Sequence, residues 1–271
     1  MDPVFHLIGL PTDCNSSFVR GPALAPPLIR DALWSDRGNT ACENGMEIGR
    51  DFQIVDKGDL ALTEGPGDDD LIRIAVAASL QGQAIPILLG GDHAVTYPVL
   101  QSIHAHYGQV TILHVDAHPD LYDNFEGNPR SHASPFARIM ENGLAVRLVQ
   151  VGIRTLNRHC REQAERFGVE IIDMRNFAPD NVPSLAGPVY VSLDLDGLDP
   201  AFAPGVSHPE PGGLSVRDVL EILDRVTGEI VAADIVELNP RFDVNGVTAI
   251  MAAKFVREVA SRATAHRKGM S

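Results

Sequence analysis

Cysteine and long apolar runs are both scarce in this sequence. Only Cys14, Cys42 and Cys160 occur, odd in number and far apart, which predicts no disulfide framework and favours a reducing compartment. No stretch reaches about 18 consecutive apolar residues, and the opening MDPVFHLIGLPTD has no basic region before its short apolar run. We therefore expect a soluble, cytoplasmic protein that does not insert into a membrane.

Positive charge is also in short supply. Lysine and arginine total 22 against 36 aspartate and glutamate residues, a formal net charge of −14. This balance argues against binding nucleic acid or an anionic membrane through bulk charge, and it favours the approach of a cation. Neither G-x-G-x-x-G nor a Walker motif opens a helix after the first strand, so a nucleotide-binding module is not indicated. With 44% hydrophobic residues and no linker or repeat, residues 1–271 are expected to form one domain.

Strand and helix patterns alternate along the chain. The predicted strands are Val4–Leu10, Phe52–Val55, Ile85–Leu89, Val110–Val115, Arg147–Ile153, Val169–Asp173, Val189–Leu195 and Ile230–Val236. The predicted helices are LAPPLIRDALW, LIRIAVAASLQGQ after three first-turn aspartates, Val95–Tyr107, Ser134–Asn142, His159–Phe167, Ser215–Arg225 and Val247–Ala263. Runs such as IPILL and VYVSL are mostly apolar rather than alternating, which indicates burial on both faces. We predict an α/β fold in which helices cover both faces of a parallel sheet.

Ligand-type side chains follow three of these strands. They are His93, Asp116, His118, Asp120, Asp194 and Asp196. In VTILHVDAHPD the three ligands are spaced two apart, so an extended backbone would direct them to the same side. Ligands bind at the carboxyl ends of strands in such sheets, and four carboxylates with two imidazoles gathered there would repel one another without cations. The sequence therefore predicts two divalent metal ions.

Asp116 and Asp194 are the candidates to bridge both ions. The other ligands divide into two pairs, His93 with Asp120 and His118 with Asp196. An oxygen-rich site with one imidazole per ion suits manganese better than zinc, although nickel, cobalt and iron remain open. Two metals that share a hydroxide supply a nucleophile near neutral pH, so a hydrolase is indicated.

Two further polar residues narrow the reaction. His132, in PRSHASPF, lies on the loop that leaves the Asp116–Asp120 segment, where it could act as a proton shuttle. Glu237, in DIVELNP, ends the last predicted strand, where a carboxylate would pair with a cationic substrate through a bidentate contact. These positions indicate a small cationic substrate.

The motifs GGDH, DAHPD, SLDLDGLDPAFAPG and ELNP, in this order, resemble the ureohydrolase superfamily of arginases, agmatinases and their relatives. The similarity runs nearly end to end, and NSSFVRGPALAPP, DAHPDLYDNFEGN and SHASPFARIME are most similar to plant-type arginases. The resemblance implies a three-layer α/β/α fold around a mostly parallel, roughly eight-stranded sheet. It also implies two Mn²⁺ ions on the six ligands above and a homo-oligomer, either a hexamer or a trimer.

The resemblance also implies roles for the remaining residues. Asp120 would relay a proton to the departing amine, His132 would exchange protons with solvent, and Glu237 would hold a guanidinium group. A metal-bridging hydroxide would attack the guanidinium carbon and release urea. L-arginine, giving L-ornithine and urea, is the favoured substrate; agmatine, giving putrescine and urea, and other guanidino acids are the alternatives.

Residues near the rim should choose between these substrates. Four candidate donors to a carboxylate lie on the loop before His132, namely Asn124, Asn128, Arg130 and Ser131. Arg130 would favour arginine if it points inward, and an exposed arginine is the alternative. Asn157 occupies the position where animal arginases place an aspartate for the α-amino group, and its uncharged amide oxygen could accept that hydrogen bond.

Two other functions compete with a ureohydrolase. A deacetylase-like amidohydrolase would use one zinc ion and would leave the second carboxylate pair unexplained. A metal-free pseudoenzyme subunit would have no need of the intact ligand set. Six other histidines have no ligand spacing with a carboxylate pair, so we interpret them as ordinary surface or core residues: His6, His104, His106, His159, His208 and His266.

Overall fold

A computed structural model describes residues 2–269, in which strands and helices alternate. The strands are β1 (Val4–Leu10), β2 (Gln53–Asp59), β3 (Ile85–Gly90), β4 (Val110–Val115), β5 (Ala145–Ile153), β6 (Glu170–Asp173), β7 (Pro188–Asp194) and β8 (Glu229–Val236). The helices are α1 (Ala25–Leu33), α2 (Asp68–Gln81), α3 (Thr96–Tyr107), α4 (Pro135–Glu141), α5 (Arg158–Phe167), α6 (Val216–Leu223) and α7 (Val247–Arg267).

All eight strands pair in parallel within one sheet, in the order β2-β1-β3-β8-β7-β4-β5-β6. Every residue of β3 and β4 is buried, as their apolar runs predicted. One hydrophobic cluster packs α1, α6 and α7 against the sheet through residues such as Ile29, Val219 and Phe255. A second cluster packs α2 to α5 against it through residues such as Val76 and Phe136. The predicted three-layer architecture is confirmed.

The structure moves some of the predicted boundaries. The second strand runs from Gln53 to Asp59 rather than from Phe52 to Val55, and it lies at the sheet edge with most of its side chains exposed. An exposed edge strand needs no apolar pattern, so its length could not be read from the sequence. Helix α6 begins as predicted after Ser215, whose side chain forms a capping box with Asp218. Helix α7 continues beyond Ala263 to Arg267.

The strand order positions the candidate site. Strands β3, β8, β7 and β4 are neighbours at the centre of the sheet, and because they are parallel their carboxyl ends meet at one edge. Two glycines allow the backbone to pack closely there. A Cβ on Gly91 would lie 1.7 Å from the Thr12 carbonyl oxygen, and one on Gly197 would lie 2.8 Å from the Asp116 amide nitrogen. Gly91 has no positive φ, so close approach rather than a sharp turn explains it.

Among residues 2–269, no helix combines the length and the apolar character that a membrane span requires.

Candidate metal centre and substrate pocket

His93 and three carboxylates converge at the carboxyl ends of β3, β4 and β7. The Nδ1 atom of His93 lies 3.1 Å from Asp120 Oδ2, 3.1 Å from Asp194 Oδ2 and 3.3 Å from Asp116 Oδ2. All four side chains are buried. The structure therefore brings together the ligands that the sequence assigned to the first metal ion.

The second ring nitrogen of His93 shows which tautomer the ring adopts, and this tautomer can bind a cation. Its Nε2 lies 2.9 Å from Ser192 Oγ, and that hydroxyl donates to the buried carboxylate of Asp234 at 2.6 Å. Because Ser192 donates its proton to Asp234, it accepts from His93, and the ring is protonated on Nε2. The buried Nδ1 atom has no hydrogen-bond partner among the described residues. A lone pair facing three carboxylates is stable only around a proton or a metal ion.

A second group lies beside the first and shares Asp116. His118 Nδ1 is 3.1 Å from Asp196 Oδ2 and 3.4 Å from Asp116 Oδ1. Asp116 thus directs one oxygen toward each imidazole, as a bridging carboxylate would. Asp194 directs Oδ2 toward His93, while its Oδ1 accepts the backbone N–H of Asp196. These residues could hold two ions, with Asp116 between them.

The pKa values of these groups are shifted because several carboxylates are buried close together. Burial and the charges of Asp196 and Asp116 raise the pKa of Asp194 well above its usual range. Burial, opposed by His118, raises the pKa of Asp196 to about 6. Burial acts to lower the pKa of His93, but its carboxylate partners outweigh that effect and hold the pKa well above its usual value. Divalent cations would remove this conflict.

His132 and Glu237 form a pair next to the metal groups. The Nδ1 atom of His132 lies 2.8 Å from Glu237 Oε1, which also accepts the backbone N–H of His93 at 2.9 Å. The Nε2 atom of His132 contacts the Ser17 hydroxyl at 2.8 Å. Burial opposes protonation of His132, but the Glu237 charge outweighs it and raises the histidine pKa to about 9. The Oε2 atom of Glu237 is buried and unpaired within the described residues, so it is available for a cationic ligand.

Two of these residues have strained backbone. Asp120 and Glu237 have φ values of 50° and 65°, in the left-handed region that residues with side chains rarely adopt. Glu237 directly follows β8 and Asp120 lies in the loop after β4, where this conformation redirects the chain. Such strain persists only where the surroundings enforce it, and it is common at functional sites.

The carboxylates and imidazoles open into a cavity of about 240 Å³. Its walls also include Ser17, Tyr122, Phe125, Thr155, Cys160 and His208. His208 was interpreted from the sequence as an ordinary residue, yet its ring lies 5.1 Å from that of His132 and 6.0 Å from that of His118. Two signals could have found it: its position shortly after the Asp194–Asp196 segment, and the similarity of its loop, GVSHPEPGG, to plant-type arginases.

The predicted tail-binding residues do not line this cavity. Arg130 pairs with Asp69 at 2.8 Å and stacks over the Tyr97 ring at 4.6 Å, and it does not line this cavity. Asn128 donates to the Asn15 side chain and accepts the Arg130 backbone N–H. The buried Ser131 hydroxyl accepts the Ala133 backbone N–H, and Asn124 is exposed. The loop uses these polar groups to hold its own shape.

Asn157 is also occupied by local structure. Its side-chain oxygen accepts the Cys160 backbone N–H and caps α5, while its amide nitrogen donates to the Tyr122 hydroxyl. The amide oxygen therefore serves the helix N-terminus rather than standing free for an ammonium group. Tyr122 does line the cavity, so Asn157 acts on the pocket through this tyrosine.

Comparison with known proteins agrees with this geometry. The model of the Arginase family matches residues 4–261. The chain belongs to the arginase family. It is 50% identical over 274 residues to "Arginase 1, mitochondrial" from Arabidopsis thaliana, which covers 94% of this chain and 80% of the relative. It is 35% identical over 269 residues to "Agmatinase, mitochondrial" from Gallus gallus, over 93% of this chain and 78% of the relative.

Solved structures support the assignment to the arginase family. The structure titled "Arginase from Medicago truncatula" superimposes with a TM-score of 0.91 at 43% identity, covering 96% of this chain and 87% of that one. The predicted ureohydrolase relationship is confirmed, and the deacetylase-like alternative is wrong.

The predicted cytoplasmic location is contradicted by the relatives. Similar plant arginases, from Arabidopsis thaliana and Oryza sativa, are named as mitochondrial or chloroplastic proteins. The prediction relied on the apparent absence of a targeting segment, and such an absence does not determine a compartment.

Proposed function

We propose that this chain is an arginase that hydrolyses L-arginine to L-ornithine and urea at a binuclear manganese centre. The observation that carries the proposal is the convergence of the His93 Nδ1 lone pair with three buried carboxylates, beside the His118 group that shares Asp116. Such an arrangement would bind two cations. Membership of the arginase family supports the hydrolysis of a guanidinium group as the reaction.

The donor set supports manganese. Four carboxylates and two imidazoles would hold the two ions, with Asp116 as a bridge and Asp194 as the second candidate bridge. Hard oxygen donors in the majority, with one imidazole per ion, suit manganese better than zinc. When bound, the ions would supply a hydroxide nucleophile near neutral pH and would stabilise charge that develops on the substrate.

The chain's own residues would position the substrate and move the protons. Glu237 would hold the guanidinium group through its unpaired Oε2, while its Oε1 stays on His132. Asp120, which lines the cavity beside the metal ligands, would pass a proton to the leaving amine. His132 lines the cavity and contacts Ser17, so it would exchange protons between the site and solvent.

The substrate tail is the finer part of the proposal. The higher identity to a plant arginase than to an agmatinase supports arginine. One observation favours agmatine as the second candidate, since none of the residues described as lining the cavity is a lysine or an arginine. An arginine carboxylate would therefore depend on neutral donors such as the Tyr122 and Ser17 hydroxyls.

Urea release from manganese-loaded protein tests the proposal. Arginine, agmatine and guanidinobutyrate should be compared at equal concentration, and arginine should give the highest kcat/KM. A clear preference for agmatine would replace the arginase proposal with an agmatinase. No urea from any of the three, together with less than one bound ion per chain, would favour a pseudoenzyme.

We also propose that the protein forms a homo-oligomer, either a hexamer or a trimer. Exposed apolar side chains support this, because Leu28 and Ile250 line one open cavity, and Phe242, Val244 and Val247 lie on the adjoining loop and helix start. Apolar surface gathered in this way is typical of an interface. A solution mass measurement tests it, and a monomer would refute it.

A further inference from the structure

His114 is a buried imidazole that the proposed mechanism does not use. It lies on β4 two residues before Asp116, so both side chains leave the same face of the strand. The residue is fully buried, and its ring stacks on Phe136 with 3.9 Å between ring centroids. Its Nε2 atom lies 2.8 Å from Asp116 Oδ2. What this contact does depends on which of the two groups donates the hydrogen bond.

Gln150 on β5 determines the donor. Its side-chain nitrogen lies 2.6 Å from the Pro119 carbonyl oxygen and 3.0 Å from His114 Nδ1. A carbonyl oxygen can only accept, so the amide must present its NH₂ group to Pro119 and cannot be flipped. The second amide hydrogen then donates to His114 Nδ1. That atom is therefore an acceptor, and the proton of the neutral ring lies on Nε2.

The protonated Nε2 atom donates to Asp116 Oδ2. Both ring nitrogens of His114 are now engaged, one by Gln150 and one by Asp116, so His114 has no lone pair left for a metal ion. His93, His114 and Asp116 lie close enough together to form a metal-binding group on distance alone. The hydrogen bonds instead place His114 behind the carboxylate.

The two oxygens of Asp116 are thereby fixed separately. Oδ2 accepts from His114 and faces His93 Nδ1 at 3.3 Å. Oδ1 accepts the His118 backbone N–H at 2.6 Å and faces His118 Nδ1 at 3.4 Å. One donor on each oxygen sets the plane of the carboxylate, and that plane directs one oxygen toward each metal position.

We propose that His114, held in its Nε2-protonated form by Gln150, is a positioning residue that orients Asp116 to bridge the two metal ions. This inference rests on the proposed binuclear centre. Hydrogen bonds from outer groups to metal ligands commonly contribute about 10- to 100-fold to metal affinity.

A matched pair of variants tests the donor itself. Glutamine and methionine are similar in length and flexibility, but only glutamine can place an N–H near the position of Nε2. We expect His114→Met to weaken Mn²⁺ binding about 10- to 100-fold in a titration of metal-free protein. His114→Gln should retain most of the affinity. His6→Met is the control, because His6 is a half-buried histidine that contacts the Ser79 hydroxyl and none of the proposed metal ligands.

The outcomes separate this inference from the proposed function. If the wild-type protein binds fewer than two Mn²⁺ ions, the binuclear centre and this inference both fail. If the wild type binds two ions and His114→Met binds them equally well, only this inference fails. Equal weakening by His114→Gln and His114→Met would also overturn it, because the donor would then not matter.

A second measurement needs no variant. Nitrogen-15 spectra of histidine-labelled, metal-free protein report which ring nitrogen carries the proton. We expect an unprotonated Nδ1 and a protonated Nε2 for His114. A proton on Nδ1 would refute the proposed donation to Asp116.

Discussion

Glu237→Gln tests how the site holds a cationic substrate. Glutamine keeps the shape of the side chain and one acceptor oxygen, which can still serve His132 and the His93 backbone, but it removes the charge. The Oε2 position, buried and unpaired among the described residues, becomes a neutral group. The substituted site would thus retain its form and lose its ion pair with a guanidinium group.

The burial of Glu237 sets the size of the effect. The residue is 3% exposed, so its contact with a guanidinium group would be largely dry. Hydrogen bonds to charged groups contribute about 1.5–3 kcal/mol, and breaking a buried ion pair costs about 3–5 kcal/mol. Because about 1.4 kcal/mol corresponds to a tenfold change, kcat/KM should fall by roughly 10²- to 10³-fold.

Urea release at varied arginine concentration, with manganese content measured on the same samples, checks this prediction. Glu237 is not among the proposed metal ligands, so the variant should bind as much Mn²⁺ as the wild type. A wild-type kcat/KM in the variant would refute the role of the carboxylate. Loss of Mn²⁺ would show instead that Glu237 supports the metals.

Glu237→Gln should also alter the pH dependence of urea release. The Glu237 charge outweighs burial and raises the His132 pKa from 6.5 to about 9. The stability that this pair contributes is therefore fully present below pH 6.5 and is lost as the pH rises through about 9. In Glu237→Gln the His132 pKa should fall, and the loss of activity on the alkaline side should move to lower pH. An unchanged alkaline limb would contradict the coupling.

Four further substitutions extend these tests. Asp116→Ala and Asp194→Ala should each lower Mn²⁺ content and reduce urea release by more than about 10²-fold, and variants as active as the wild type would disprove the metal assignment. Arg130→Ala should leave the KM for arginine unchanged, because Arg130 is engaged outside the cavity; a large rise in KM would return it to the substrate site. Tyr190→Phe removes a donor to the buried Asp234 and should lower the free energy of unfolding by about 1–3 kcal/mol in urea denaturation, whereas no change would show that this donor is dispensable.

The fold was largely predictable because its central strands are buried on both faces. Continuous apolar runs such as those of β3 and β4 are typical of buried parallel strands, and both strands lie where they were predicted. The order of strands was not predictable, because parallel strands can be connected in several orders that bury the same residues. Only the structure shows that β8, with Glu237, lies between β3 and β7.

The site residues at strand ends were predictable from the sequence, whereas those on loops were not. Residues at or directly beyond strand ends, such as Asp194 and Asp116, inherit their direction from the sheet, so spacing was enough to group them. Loop residues do not. Arg130 pairs with Asp69, and Asn157 caps a helix. The direction of a polar loop side chain depends on its local hydrogen-bond partners, which the sequence does not show. His208 reached the cavity from a loop that carries no periodic pattern.

The central position of β3, β8, β7 and β4, which end at the site, affects how the protein loses activity on heating. Amide hydrogens at the middle of a sheet exchange with solvent only through the largest openings, whereas edge strands such as β2 and β6 fray first. Partial unfolding from the edges would leave the proposed metal ligands at the ends of the central strands assembled. Thermal inactivation and global melting should therefore coincide.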